Sequence, residues 1–354
     1  MFELTLSKFL RILSCALVTI SIACVVAVKK RGEREAPQPP VDFVVVSINT
    51  GTTDRLKHDL GTPDGYSSDE ANTSKHFYGN GLAWGAAIDA MQAYVRRVAP
   101  QIVFFQEIFD SVKCETIPED ARVGFVCEGW ASNDQSVVRT VLGPGYSISC
   151  IPGRSDKCLA VDVAFGAIEG CPIGSICPTG LKGTPVPGCG GAARHGFALI
   201  ELAGGGSIGV IGYHATSGAE PDDSECRIRQ QRQIQRDFGA LANGEEVARV
   251  LLGDFNTDPV RDIETDESAR QLSEWIRESP LDFISDVGVE AIETYPGRGN
   301  IDHVLGDGIK GACRYPGIGG LPPVLEMTYF DHVPIECRVQ LTDISGSRIR
   351  RAPR

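Results

Sequence analysis

Polar residues with chemically capable side chains stand at the ends of short apolar segments throughout this sequence. Four groups follow such a segment and a fifth precedes one: Asn49 after 43–46, Gln106-Glu107 after 102–105, His214 after 208–212, Asp254 and Asn256 after 250–252, and Asp331-His332 before 333–335. Asp302 lies within a further segment of this kind, residues 299–305. Short buried strands can bring such end groups together at one rim of a sheet. The sequence therefore predicts an active site assembled from distant parts of the chain.

Carboxylate, amide and imidazole groups can together supply what phosphoester hydrolysis requires. Water attacks phosphorus in line, and negative charge builds on the non-bridging and leaving oxygens. A hard cation neutralises the phosphate, a base orients and deprotonates water, and an acid or cation stabilises the developing charge. A hard cation such as Mg²⁺ prefers oxygen ligands and takes only one or two protein carboxylates.

The six groups, in this order between residues 41 and 340, resemble the endonuclease/exonuclease/phosphatase superfamily of deoxyribonuclease I. The resemblance implies an α/β (α+β) fold, a four-layer α/β/β/α sandwich of two mainly antiparallel sheets. It also implies hydrolysis of phosphoric esters with Mg²⁺, for which Mn²⁺ or Ca²⁺ could substitute. Sequence reasoning by itself supports the alternation of strands and helices, not the number of layers.

The resemblance assigns the metal-binding role to three residues. Glu107 is the principal metal ligand, Asn49 lies beside it, and Asp331 is a candidate second metal contact. A glutamate at a strand end is by itself an ordinary surface charge, so this assignment depends on the accompanying motifs.

The resemblance assigns catalytic roles to five residues: His214, Asp254, Asn256, Asp302 and His332. Asp254 orients the attacking water and Asn256 holds a phosphate oxygen, although an Asx turn would explain both residues structurally. Asp302 orients the His332 ring, whose imidazole stabilises the phosphorane or helps to activate water. His214 contacts phosphate or protonates the leaving oxygen.

Two helices are predicted from apolar periodicity. The first has Trp84, Ile88, Met91, Val95 and Val98 at three- and four-residue spacing and ends before Pro100. The second spans residues 227–243, and its four arginines are predicted to form a solvated basic face: Arg227, Arg229, Arg232 and Arg236.

The cysteines favour an oxidising compartment. Ten of the twelve lie beyond the N-terminal apolar segment, and none has the paired short spacing of a zinc ribbon, so disulfides are expected. Cys150 with Cys158 and Cys313 with Cys337 are plausible pairs. Residues 150–191 are predicted to be a disulfide-tied Cys/Gly-rich insertion, with substrate recognition as the alternative explanation.

The two ends of the chain differ in composition from the body. Residues 1–40 contain an uncharged apolar run, Ile12 to Val28, followed by a charged, Pro-rich linker. We interpret them as a signal peptide or membrane anchor, in which case the domain at residues 41–342 is secreted, periplasmic or membrane-anchored. The basic residues 29–31 would favour a cytoplasmic body, but the cysteines favour export. Residues 343–354 are predicted to be a disordered basic tail.

Charge and local motifs bear on the substrate. The net charge is −12 and residues 41–340 carry about −18, which disfavours tight nucleic-acid binding unless a cation and local arginines offset it. Residues 299–302 and His214-Ala215 are similar to the catalytic subunit of cytolethal distending toxins, which favours an exported, Mg²⁺-dependent DNA endonuclease. The alternatives are a phospholipid-directed phosphodiesterase or phosphatase, acting on sphingomyelin or a phosphoinositide, and a non-catalytic exported binding protein. Partner subunits stay open.

Overall fold

Thirteen strands and five α-helices alternate along the part of the chain that the computed structural model describes, residues 41–58, 65–178, 180–241, 247–325 and 329–342. The strands are β1 (Asp42–Asn49), β2 (Ile102–Gln106), β3 (Tyr146–Ile151), β4 (Arg154–Asp162), β5 (Gly166–Ile168), β6 (Ile176–Cys177), β7 (His195–Leu202), β8 (Ser207–His214), β9 (Ala248–Asp254), β10 (Asp282–Phe283), β11 (Asp302–Asp307), β12 (Ile309–Arg314) and β13 (Ile335–Leu341). The helices are α1 (Ser68–Thr73), α2 (Gly85–Val98), α3 (Val137–Leu142), α4 (Pro221–Leu241) and α5 (Glu267–Glu278).

The strands form two sheets. The first has the order β12-β13-β1-β2-β4-β3-β6, and the second has the order β10-β11-β9-β8-β7-β5. Only the pairs β1–β2, β3–β6 and β8–β9 are parallel among the described strands, so both sheets are mainly antiparallel, as predicted.

Alternating side chains bury both faces of each sheet. Val45 and Phe104 of the first sheet pack with Val210 and Leu252 of the second in a core between the sheets. Their chain neighbours point the opposite way, because side chains alternate across a strand. Those outer faces pack against α2 and α3 on the first sheet and against α4 and α5 on the second. The four-layer α/β/β/α order is therefore confirmed.

The two helices predicted from the sequence correspond to α2 and α4, and only α4 differs clearly from the prediction. Helix α2 starts after Trp84 and ends before Ala99, which has a φ of 45°. Helix α4 begins at Pro221, six residues before the predicted start, because a proline is well suited to the first helical position and Asp222 and Asp223 favour the first turn.

The prediction of a solvated basic face on α4 is wrong for Arg227, which is 1% exposed. Its guanidinium contacts Asp266 at 2.8 Å and donates to the carbonyl oxygens of Thr216 and Gly218. Because a buried charge needs a partner and saturated hydrogen bonds, Arg227 is a structural element that holds the loop after His214.

Five disulfides connect the ten body cysteines. They are Cys114–Cys127, Cys150–Cys158, Cys171–Cys177, Cys189–Cys226 and Cys313–Cys337, and they include both predicted pairs. Cys150–Cys158 and Cys313–Cys337 each join residues directly opposite in neighbouring strands.

The predicted insertion at 150–191 is wrong for its first part. Residues 154–162 form β4, an interior strand of the first sheet between β2 and β3. The error arose because glycines and cysteines on either side hid the apolar run at residues 158–161. The irregular, disulfide-tied part begins only after β5.

The N-terminal segment 1–40 and the tail 343–354 lie outside the described residues, so their predicted roles stay predictions. Within the described ranges, no helix combines the length and the apolarity that crossing a membrane requires.

Candidate functional site

Strand ends bring the predicted site residues to one edge of the sandwich. In the parallel pair β1–β2, Asn49 lies opposite Gln106, and in the parallel pair β8–β9, His214 lies opposite Asp254. Asp302 begins the antiparallel strand β11 and lies opposite Asp254 from the other side. The carboxyl ends of four strands and the amino end of a fifth therefore meet.

The carboxylate of Asp254 is the centre of this group. Its Oδ2 atom lies 3.2 Å from Asn49 Nδ2, 3.6 Å from His214 Nε2 and 3.8 Å from His332 Nε2. Asn49 belongs to the first sheet and Asp254 to the second, so their hydrogen bond crosses between the sheets. Residues separated by 205 positions in sequence thus share one buried contact.

Burial controls the protonation of Asp254. Its side chain has almost no contact with solvent, and desolvation together with the nearby Asp302 raises its pKa to about 7. Its other oxygen, Oδ1, accepts a hydrogen bond of 2.7 Å from the backbone nitrogen of Asn256. A carboxyl group with a pKa near neutrality can exchange a proton at physiological pH.

The predicted pair of His332 and Asp302 is present. His332 Nδ1 lies 2.7 Å from Asp302 Oδ2, and both residues are buried. Burial disfavours the charged imidazole, but the negative charges of Asp302 and Asp254 outweigh it and raise the His332 pKa to about 10. His332 is therefore a cation at neutral pH. The edge of the Tyr295 ring packs against it, with 4.8 Å between ring centroids.

His214 carries the opposite protonation state. Burial, with the positive charges of Lys157 and Arg194, lowers its pKa well below the ordinary value, so the ring is neutral. Nε2 lies 3.7 Å from Glu107 Oε1, and Nδ1 is buried without a hydrogen-bond partner among the described residues.

Glu107 occupies a strained turn after β2, with a φ of 58°. The Glu107 side chain is 31% exposed to solvent and faces the cleft. Desolvation and the negative charge of Asp331 raise its pKa. Asn49 Nδ2 donates to Glu107 Oε1 at 3.3 Å, while Asn49 Oδ1 accepts from the backbone nitrogen of Gly51. Asn49 thus donates its amide nitrogen to Glu107 and accepts at its amide oxygen from Gly51, and its predicted metal contact stays a prediction.

The remaining two predicted residues border the same cleft. The backbone nitrogen of Asp331 donates to the Gly51 carbonyl at 3.2 Å, and burial raises the pKa of its carboxyl group. Asn256 has a φ of 51°, an uncommon conformation for a residue other than glycine. His303, which the strand alternation excludes from the site, is buried against the Thr257 carbonyl.

The donor set is suited to a divalent cation. The pKa values of Glu107, Asp254 and Asp331 are all raised, chiefly by burial, and the nearby positive charge of His332 offsets this effect only in part. Ligand atoms of Asp254, Asp302 and His332 also lie within 4.8 Å of one another. Asp302 Oδ2 is already bonded to His332, while the charge of Asp331 acts on Glu107; the predicted metal contacts of Glu107 and Asp331 stay predictions.

Sequence reasoning missed several residues of the cleft. Lys157 and Arg194 line the same pocket as Glu107 and His214. Lys157 directly precedes the apolar run 158–161, so the rule that identified the other groups could have found it. Tyr295 lies in a loop without periodicity and has no such signal.

Comparison with known proteins gave matches only in structure. Neither a protein-family model nor a curated protein sequence matches the chain. The solved structures that match over most of their length include the following three. An endonuclease/exonuclease/phosphatase family protein of Bacteroides thetaiotaomicron has 15% identity and a TM-score of 0.51, covering 87% of this chain and 97% of its own. The human Nocturnin catalytic domain with bound sulfate has 12% identity and a TM-score of 0.53, covering 86% and 94%.

The third match is ANGEL2, a 2′,3′-cyclic phosphatase in complex with adenosine-2′,3′-vanadate. It has 13% identity and a TM-score of 0.51, and the match covers 85% of this chain and 96% of that one. At such identities the likeness concerns the fold. The chain thus has the fold of the endonuclease/exonuclease/phosphatase proteins, in agreement with the resemblance in its sequence.

Proposed function

We propose that this protein is a divalent-metal-dependent phosphodiesterase and that it acts as an exported endonuclease on DNA. The observation that carries the proposal is the arrangement around Asp254. One buried carboxylate with a pKa near 7 lies within 4 Å of a neutral imidazole, His214, and a cationic imidazole, His332. In-line hydrolysis of a phosphoester needs both a proton acceptor and a fixed positive charge.

Asp254 is the residue that orients the attacking water. The water oxygen forms the new bond to phosphorus while the bond between phosphorus and the leaving oxygen breaks. The water proton passes to the Asp254 carboxylate, and the leaving oxygen takes a proton from solvent. Asn256 supports this step, because its backbone fixes Asp254 Oδ1 and its amide lies at the same cleft. We assign to that amide a hydrogen bond to a non-bridging phosphate oxygen.

His332 stabilises the negative charge on the pentacovalent phosphorus. Asp302 keeps this ring protonated and fixes its orientation through the contact at Nδ1, so Nε2 is a donor that faces the cleft. His214 is neutral and therefore acts as a hydrogen-bond donor or acceptor to phosphate. Its low pKa makes it a weak candidate for the acid that protonates the leaving oxygen.

Glu107 and Asp331 are the residues that would hold Mg²⁺, with Asn49 positioning Glu107. When bound, the ion neutralises the phosphate and stabilises the leaving oxygen. Solved structures with this fold include a 2′,3′-cyclic phosphatase bound to an adenosine vanadate, which supports phosphorus–oxygen chemistry for the cleft.

Export and the DNA substrate are supported by separate observations. Five disulfides support an oxidising compartment. The similarity of residues 299–302 to toxin subunits supports DNA, and cationic residues beside His214 give a phosphate polymer a local point of attachment in an acidic protein.

A chelator-controlled substrate panel tests the proposal. Plasmid DNA, RNA, sphingomyelin vesicles and phosphoinositide vesicles are each incubated with the full chain and Mg²⁺, Mn²⁺ or Ca²⁺, with and without EDTA. We expect nicking of plasmid that EDTA abolishes, that Asp254→Ala removes and that the exposed control Asp89→Ala retains. Release of phosphocholine or phosphate, with the plasmid left intact, would show that the substrate is a lipid and not DNA. Inactivity on all four substrates with every ion would overturn the proposal.

A further inference from the structure

A cluster of positive charges forms one wall of the cleft, next to Glu107 and His214. The pocket there has a volume of about 200 Å³, and Lys157 and Arg194 are among its lining residues. Sites for drug-sized ligands have volumes of about 300–1,000 Å³. The pocket is therefore large enough to hold a phosphate group.

Arg154 and Arg194 lie close together with unused hydrogen-bonding capacity. Their Nη2 atoms lie 3.5 Å and 3.6 Å from the point that a Cβ atom on Gly190 would occupy. The Nε atoms of both residues are buried and have no hydrogen-bond partner among the described residues. Buried donors without partners cost free energy, which an anion bound between the two guanidinium groups would recover.

Lys157 adds a third positive charge and is 3% exposed. Its ammonium group contacts the neighbouring Asp156 carboxylate. Burial lowers the pKa of Lys157, and the nearby Arg154 lowers it further. Lys157 and Arg194 line the same pocket as His214, and Arg154 lies next to Arg194 beside Gly190.

The surrounding fold holds these cations in place. Arg154 and Lys157 lie on β4, which the Cys150–Cys158 disulfide joins to β3. The backbone carbonyl of Arg194 accepts a hydrogen bond of 2.9 Å from the backbone nitrogen of His214, so the Arg194 backbone is attached to that of the catalytic histidine. The Cys189–Cys226 disulfide attaches the segment beside Gly190 to α4. A rigid set of like charges is a preorganised anion site.

We propose that Arg154, Arg194 and Lys157 form a subsite for a second phosphate of the substrate. The inference rests on the proposed function, because the first phosphate is the one that lies at Asp254. It narrows the substrate class to phosphoesters with another phosphate close to the scissile one. Nucleic-acid strands and polyphosphorylated inositols both have this chemistry.

Binding measurements test the subsite without any requirement for turnover. Thymidine 3′,5′-bisphosphate and thymidine 5′-monophosphate are titrated calorimetrically into the full chain in the presence of Mg²⁺. We expect the bisphosphate to bind at least about tenfold more tightly, because paired, desolvated phosphate contacts are charge-assisted. The ratio of the two affinities should approach one in Arg154→Gln/Arg194→Gln and stay unchanged in the exposed control Arg96→Gln. Inositol 1,4-bisphosphate, run in parallel, distinguishes a nucleotide source from an inositol source.

A parent protein without preference for the bisphosphate, or a double variant that keeps the preference, would overturn the subsite. Melting temperatures establish that the variants fold, and Arg154→Lys/Arg194→Lys, which keeps the charge, should restore part of the ratio. If the glutamine variant does not fold, the salt dependence of the parent's affinity ratio replaces it. We expect the ratio to fall as NaCl rises from 0.05 to about 0.5 M, and a constant ratio would contradict the subsite.

Hydrolysis is measured separately with thymidine 5′-(p-nitrophenyl phosphate) and its 3′-phosphorylated counterpart. Turnover of both probes at equal kcat/KM would contradict the subsite and leave the proposed function standing. Retention of the bisphosphate preference without hydrolysis of either probe or of DNA would contradict the proposed function and leave the anion site standing.

Discussion

Asp302 and His332 are thirty positions apart in the chain, and their side chains meet at 2.7 Å between Oδ2 and Nδ1. Asp302 comes from the start of β11, and His332 from the loop before β13. The contact keeps the imidazole positively charged in a buried position, where an isolated histidine would be neutral. The charge on His332 thus depends on a residue that only the fold brings to it.

The first prediction concerns this contact. In Asp302→Asn, the loss of the neighbouring negative charge should lower the His332 pKa from about 10 towards its ordinary value. We expect kcat to fall about 10⁴-fold, the scale seen when a carboxylate that orients a catalytic histidine is replaced by its amide. NMR titration of the imidazole and steady-state kinetics measure the two effects. Asp307→Asn, at the far end of β11, is the control. An unchanged His332 pKa in Asp302→Asn would contradict the assigned pair.

The second prediction concerns stability without metal. The Asp254 pKa is about 7 in the folded protein and about 3.9 in an unfolded chain. Ionisation of Asp254 therefore opposes folding, with a cost that begins near pH 4, grows as pH rises and is complete above pH 7. In EDTA at pH 8, Asp254→Asn should be more stable than the parent by up to about 4 kcal/mol, because the two pKa values differ by about 3 and each pKa unit corresponds to about 1.4 kcal/mol.

That gain should disappear as pH falls towards 4, while phosphodiesterase activity is lost at every pH. Urea unfolding at several pH values measures the stability, with the exposed Asp89→Asn as control. A variant that is less stable than the parent at pH 8 would show that Asp254 serves the fold more than the chemistry.

The third prediction concerns the space beside Glu107. A Cβ atom on Gly51 would collide with the Glu107 carboxylate and lie 2.9 Å from its carboxyl carbon and 3.1 Å from Asn49 Oδ1. Gly51→Ala should therefore displace the carboxylate and weaken Mg²⁺ activation by about tenfold or more, the scale of changes in groups that position metal ligands. Gly145→Ala is the control, because a Cβ there meets nothing within 4 Å. Equal Mg²⁺ titration curves for both variants would argue against Glu107 as a ligand.

The fourth prediction ranks two disulfides by how much each one stabilises the folded protein. Cys189–Cys226 closes 37 residues and Cys150–Cys158 closes 8. From the entropy of loop closure, their removal should cost about 4 and about 2.5 kcal/mol of unfolding free energy respectively. Paired Cys→Ala variants and guanidinium unfolding measure this order. The reverse order would mean that native-state contacts, rather than the unfolded chain, determine the stabilisation.

Much of the architecture was predictable from local pattern. Helix α2 followed from the spacing of Ile88 and Met91, and the strand ends followed from apolar runs that stop at a polar group. The prediction failed at β4, whose apolar run at residues 158–161 is short and begins with a cysteine, and which directly follows Gly153. It also failed at Arg227, whose burial depends on Asp266, a partner 39 positions away.

The sequence alone determined which chemical groups the site contains, because the order of motifs and the ends of apolar runs are local properties of the chain. The tertiary structure determined the protonation states of the site residues and which cations form the wall of the cleft. His214 and His332 are alike in sequence, yet one is neutral and the other charged. Protonation depends on burial and on charges within a few ångströms, and those neighbours come from strands and loops far apart in the chain. The same reason explains why Arg154, Arg194 and Lys157 became visible as a group only in three dimensions.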